Sequence, residues 1–174
     1  MATVDSTRDL LVSGLKDAYA MERQAEDMLS SQSQRLEDYP ELSARISQHV
    51  EETRNQQRRL EECLSSLDES PSMLKDAAMR AAANLQAAFN ATAQDEVIKD
   101  SLADYAFEHF EIASYKGLIA LAELDGKSAI ASKCQESLRE EEAMASWIDG
   151  HLNDIVVEHA RRTERGETSR VGLA

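Results

Sequence analysis

Four long stretches of the chain place apolar residues at alternating three- and four-residue steps, the spacing of a helix that buries one face. The first is expected from about Thr7 to Leu36, with Leu11, Leu15, Ala18, Glu22, Ala25 and Leu29 as its inward stripe. The second is expected from about Glu41 to Leu67, with Leu42, Ile46, His49, Thr53, Gln56, Leu60 and Leu64 facing inward and Glu52 flanking them. The third runs from about Asp95 to Leu124, its apolar positions including Ile98, Leu102, Ile112 and Ile119, yet Glu108 sits on the same stripe. Glu111 lies three residues on, about 60° round the helix. The fourth is expected from about Ser128 to Arg161, with Ala131, Cys134, Leu138, Glu141, Ala145, Ile148, Leu152 and Ile155 in step.

The breaks between these stretches set the topology. Asp38-Tyr39-Pro40-Glu41 is too short to let the first two helices be anything but antiparallel neighbours, and Pro40 suits a first helical position. Gly126 fits the left-handed site past the end of the third helix. Between the second and third lies an Ala-rich, weakly amphipathic segment from Met73 to about Ala91. Its roughly 20 helical residues would span about 30 Å, enough to cross the bundle lengthwise and bring helix 3 in parallel to helix 2. The expected fold is all-α: an up-down-crossover-up-down four-helix bundle with an extra Ala-rich crossover helix. One domain is expected over residues 1–174, its core from about 7 to 162 and its tail, 163–174, frayed.

Composition agrees with helix and narrows the function. The chain has two Pro and six Gly in 174 residues, and a formal charge of −14. Such an acidic surface repels nucleic acid and anionic membrane, so neither is an expected partner. No run of 18 apolar residues and no basic-then-apolar N-terminus is seen, so a cytoplasmic protein is expected. Cys63 and Cys134 fit no zinc spacing and each falls at a core position, which favours buried free thiols. Arg54, Arg58 and Arg59 are expected on a solvated face, as are Glu140 and Glu142.

The candidate chemistry lies in the misfits. Glu22, Glu52, Glu108 with Glu111, and Glu141 each interrupt an inward face near the middle of its helix, so they should meet at one level, with no Lys or Arg on the same stripes. Buried carboxylates either take up protons or bind cations. A set of oxygen donors with one imidazole, His49, suits iron or manganese better than zinc. Two metal ions bridged by carboxylates, or a metal-free bundle whose acids are protonated, are both open at this point. Tyr19, Tyr105 and Tyr115 are candidate hydrogen-bond donors to the acids, beside the plainer reading of core packing.

The runs Asp17–Gln24, His49–Thr53, Phe107–Tyr115 and Glu140–Glu142 together resemble the YciE/YciF family, also called DUF892, from about Asp9 to Glu158. The YciE branch is the nearer likeness. The resemblance implies a ferritin-like bundle, a homodimer and a part in bacterial stress responses, without naming a reaction. Similarity to rubrerythrin-type sites implies Glu22 as the ligand of helix 1, Glu52 of helix 2, Glu108 and Glu111 of helix 3 and Glu141 of helix 4. Asn55 and Met144 stand where dimetal ferritins usually carry His. His49 remains the one nitrogen donor, its ring expected to approach from the other side.

Overall fold

The computed structural model describes residues 6–71 and 96–167, and among these every regular element is helical. α1 spans Thr7–Ser33, α2 Pro40–Ser65, α3 Glu96–Leu124 and α4 Ser128–Glu164. The expected bounds hold to within three residues, α4 continuing to Glu164 rather than ending at Arg161. Residues 163 and 164 are therefore helical rather than part of a tail. The crossover helix expected from Met73 to Ala91 lies outside the described residues, as do residues 168–174.

Local chemistry sets the helix ends. Ser6 caps α1 in a reciprocal box: its Oγ accepts from the Asp9 N–H at 3.2 Å, and Asp9 Oδ2 accepts from the Ser6 N–H at 3.1 Å. Pro40 opens α2, where the missing N–H costs nothing. Gly126 closes α3 at φ +68°. A Cβ there would meet no atom within 4 Å, so the demand is on the backbone alone. Gly126→Ala should accordingly lower stability by about 1 kcal/mol in urea denaturation, the cost of a left-handed non-glycine residue.

Side-chain pairs define the packing. Tyr19 reaches Glu61 and Arg54 reaches Glu26, joining α1 and α2 in antiparallel fashion. Tyr115 reaches Glu22 and Gln32 reaches Asp104, which does the same for α1 and α3. Lys116 with Glu142 pairs α3 with α4, and Arg59 with Glu140 pairs α2 with α4. The helices thus form a closed ring in which α2 and α3 are parallel diagonals, as the expected crossover requires. Glu69 is tied to Lys16 in the first half of α1 and Glu96 to Arg35 just past its end, so α2 ends and α3 begins at opposite ends of the bundle.

The inward stripes of α1 and α2 are buried at every expected position, and that of α4 at all but Leu152, which is half-buried. α3 departs from expectation. Leu102 is 50% exposed, and the face turned inward is Val97, Ser101, Asp104, Glu108, Glu111, Tyr115, Leu118 and Ala122. Ile112 is buried as expected, but apolar residues lie all round this helix, so its polar seam marks the core side as clearly as its apolar positions do. Leucines, isoleucines and alanines fill both ends of the bundle, and the polar residues gather at its middle.

Candidate metal centre

Each carboxylate reaches the middle because its helix turns an otherwise apolar face inward there. Glu22 follows Leu15 and Ala18 on α1, His49 follows Ile46 on α2, Glu141 follows Leu138 on α4, and Glu108 and Glu111 lie on the polar seam of α3. All five side chains are 1% exposed or less. His49, Glu108, Glu111 and Glu141 each present a ligand atom, and the four atoms lie within 4.8 Å of one another. Three helices contribute to that group.

The contacts within it are incomplete in a telling way. His49 Nε2 is 3.3 Å from both Glu108 Oε2 and Glu141 Oε2 but makes a well-aligned hydrogen bond to neither. Those two oxygens, Glu111 Oε1 and Glu22 Oε2 are likewise buried without a donor. Orphaned polar atoms in a protein interior are costly. Four of them, from His49, Glu108, Glu111 and Glu141, converge and define a cradle for something positively charged, and this donor set of carboxylates and one imidazole can hold a metal ion. The ring of His49 therefore points at the carboxylates, not to their far side.

Protonation follows the same geometry. Burial, then the neighbouring Glu141, Glu22 and Glu108, push the Glu111 carboxyl well above its usual value. Burial and Glu141 do the same to Glu22, against the hydrogen bond from Tyr115. Burial raises Glu108 to about 8 although the His49 imidazole opposes it. For His49, burial alone would lower the imidazole, but the carboxylates of Glu108, Glu141 and Glu52 outweigh it and hold it well above its usual value. Without a bound cation, Glu22, Glu108 and Glu111 are drawn towards their protonated forms beside the His49 imidazolium.

Glu52 stands at the edge. Its side chain is one-fifth exposed, with His49 Nδ1 at 2.8 Å and Arg45 Nη1 at 3.2 Å from the same oxygen. Burial would raise its carboxyl, but the hydrogen bonds from His49 and Gln48 and the charge of Arg45 hold it at about 2. It orients the His49 ring in the manner of a carboxylate behind a metal-ligating imidazole. The sequence reading found no basic partner for these acids. Arg45 is one, two turns before Glu52, and its long side chain spans a gap that stripe positions do not show.

Other expectations need correction. Only Tyr115 of the three tyrosines serves the cluster, its hydroxyl donating to Glu22 Oε1 at 2.5 Å. Tyr19 donates to Glu61 and Tyr105 to Asp149, both at the surface. Arg59 is not simply solvated: its two Nη atoms clamp Glu140 at 2.7 Å each, and the Gln56 amide donates to both Glu140 and Glu141. Asp104, one turn before Glu108, was not singled out; it is 3% exposed, accepts from Gln32 Nε2 at 2.8 Å and is raised by burial to about 7. Its four-residue step to Glu108 was the available signal. Met144 is fully buried, a thioether where the dimetal pattern expects an imidazole.

Tyr115→Phe tests the support of Glu22. It should lower the stability of metal-free protein by about 1 kcal/mol in urea, because Glu22 Oε1 loses its donor while the ring still fills its place.

A closed ring of four helices with acids and an imidazole at its centre places the protein among the carboxylate-centred helical bundles, the ferritin-like class. Residues 6–161 match the family described as a domain of unknown function, DUF892, and the chain belongs to that family. It is 30% identical to Protein YciF of Escherichia coli over 162 residues, which cover 88% of this chain and 92% of that one. The crystal structure of the E. coli stress protein YciF superposes with a TM-score of 0.76 at 25% identity, covering 88% of this chain and 98% of that one. A protein from Xanthomonas campestris pv. campestris is similar at 38% identity and a TM-score of 0.77, covering 91% and 99% of the two chains. YcfI from Rhodopseudomonas palustris gives 27% identity, a TM-score of 0.68 and coverage of 85% and 96%.

Proposed function

We propose that this chain binds a pair of hard divalent cations, iron or manganese, and serves in a bacterial stress response. The observation that carries the reading is the convergence of unpartnered buried atoms from His49, Glu108, Glu111 and Glu141 in the middle of the bundle. His49, Glu108, Glu111 and Glu141 hold the first ion. Glu22, which feels the charges of Glu141 and Glu108, would extend the set towards α1, and Glu52, expected as a ligand, would instead support it from behind His49. Two cations held there would replace the protons that Glu22, Glu108 and Glu111 otherwise take up. The ions would supply Lewis acidity or, for iron, a redox couple; this chain's part is to fix the ligands and exclude water.

The stress role is carried over from the E. coli relative, the stress protein YciF. From the runs around Glu22, Glu52, Glu108 and Glu141 we place the chain in the YciE branch, although the E. coli relative it matches is YciF. Homodimerisation belongs to the same family-based proposal. Buried free thiols at Cys63 and Cys134 fit the reducing cytoplasm, and no described helix is long and apolar enough to cross a membrane.

Elemental analysis of protein purified without chelator tests the reading. About two iron or manganese ions per chain are expected, and Glu111→Gln/Glu141→Gln should lose them while remaining folded. No metal as purified, together with no uptake of Mn(II) or Fe(II) in anaerobic titration, overturns it. One observation favours a second reading: His49, between Glu52, Glu108 and Glu141, already provides an internal cation. The bundle would then be a metal-free interaction protein, and that same titration would show no binding.

A further inference from the structure

The outer side of α3 carries a second apolar stripe, opposite the polar seam, that no described helix covers. Leu102, Ala106, Phe110, Ala113, Gly117, Ala120 and Leu124 follow one another at steps of three and four residues, and all seven are exposed. Leu102, Phe110 and Leu124 are 50%, 58% and 75% exposed. The stripe runs for about 33 Å without a charge, in a chain of which 30% of the residues are charged. An apolar row of that length on a protein surface marks a contact site.

The order of its residues says what fits it. Reversal about Ala113 exchanges Leu102 with Leu124, Ala106 with Ala120 and Phe110 with Gly117, each pair equidistant from Ala113 to within one residue. Two copies of α3 laid antiparallel across a two-fold axis at Ala113 would therefore set leucine on leucine, alanine on alanine and the largest side chain on the smallest. A two-fold contact uses one patch twice, so the patch must complement itself. An unrelated partner would impose no such symmetry on the sequence.

The seat for the phenylalanine is already formed. Phe110 and Gly117 line one groove of about 430 Å³ between α1 and α3, with Gly14, Met21, Leu118 and Leu121 beside them and Asp17 as its one charged residue. α1 comes close there because Gly14 has no side chain: a Cβ would meet Leu118 Cδ2 at 2.9 Å. Over Gly117 the space is open, with no atom within 4 Å of where a Cβ would stand. Phe110 stacks on the buried Phe107 with ring centroids 6.3 Å apart, which limits its freedom before any partner arrives.

We propose that a second copy of this chain docks on this face, α3 against α3 and antiparallel, with Phe110 of each copy seated over Gly117 of the other. This face gives the homodimer proposed above its interface and stands on that reading. With the shoulder of α1 included the strip is about two helix widths across, or roughly 700 Å² per copy, close to the ~800 Å² that each partner buries in a specific interface. Two chains of charge −14 repel each other, and an uncharged strip is where they can meet at least cost.

The test measures the mass of the full chain by sedimentation velocity and light scattering, with circular dichroism to check folding. The wild type should be a dimer at micromolar concentration. Phe110→Glu, and Gly117→Leu, which fills the seat without adding charge, should each raise the dimer Kd at least about thirtyfold, the scale of an interface hot spot. Both positions are exposed, so the helix content of the monomer should not change. Ala113→Cys lies at the axis and should link to its own copy under mild oxidation, as peptide mapping would show. Ala120→Cys should not, because its two copies stand about 21 Å apart along the paired helices. A monomeric wild type, the result if another segment or a different protein fills the groove, overturns both this interface and the homodimer reading. A dimer indifferent to both Phe110→Glu and Gly117→Leu, or one in which Ala120→Cys links as readily as Ala113→Cys, overturns this interface and leaves the homodimer reading standing.

Discussion

Glu111→Leu is expected to stabilise the metal-free protein by roughly 1–3 kcal/mol and to weaken its metal binding by at least an order of magnitude. The first effect follows from burial. Glu111 is 1% exposed, has an oxygen without a donor, and is crowded by Glu141, Glu22 and Glu108. Replacing buried ionised groups by apolar ones of similar volume is neutral or favourable by about 1–4 kcal/mol where the whole charged set is removed, and Glu111, crowded by like acids rather than paired with a base, can be removed without stranding an opposite charge. In a domain of this size that gain should appear as a rise of roughly 3–9 °C in Tm of chelator-treated protein. The second effect follows from chemistry, since leucine offers no electron pair at the point where the four donor atoms converge. With saturating Mn(II) the order should reverse, because the wild type gains binding free energy that the variant cannot. Calorimetry of both proteins, with and without metal, checks this. A variant less stable than wild type in chelator would mean that Glu111 carries a structural hydrogen bond, and the cluster would lose its claim to strain.

The architecture was legible because long helices repeat one pattern many times. Leu11 to Leu29 and Leu42 to Leu64 fix their faces through several turns, so a single misfit such as Glu22 or His49 is visible against them. α3 was harder for the converse reason. Leu102 and Phe110 are apolar yet exposed, and Ser101 and Asp104 are polar yet buried, so hydropathy alone points the wrong way. Glu108 and Glu111 were still found, because acids at that spacing between aromatic residues are odd on any face. Arg45 and Arg59 do not stand out as partners in the sequence, because their contacts depend on side-chain reach and on which helices are neighbours. Position along one helix does not encode either.

The pH dependence should change sign on adding metal. In the metal-free protein Glu108 is raised from its ordinary value to about 8, Glu22 and Glu111 are raised well above theirs, and Asp104 is raised to about 7. From about pH 5 to pH 8 the folded state therefore holds protons that the unfolded chain has released. Stability falls with pH wherever the native state binds more protons, by about 1.4 kcal/mol per proton per pH unit at most. His49, also raised, acts in the same sense above its ordinary value: its stabilising charge is complete at low pH and is lost as the imidazole deprotonates. Glu52, held at about 2, acts oppositely, contributing above its ordinary value and losing its contribution only as pH falls below about 4. Metal-free protein should thus be most stable near pH 5 and lose on the order of 3 kcal/mol by pH 8, water entry and relaxation keeping the loss below the full linkage value. A cation displaces those same protons, so binding should release them and tighten as pH rises. Denaturation curves at pH 5, 6.5 and 8, in chelator and in Mn(II), would show the two trends crossing. Metal-free stability that is flat across this range would mean the carboxyls ionise normally, which is incompatible with their meeting in a dry interior.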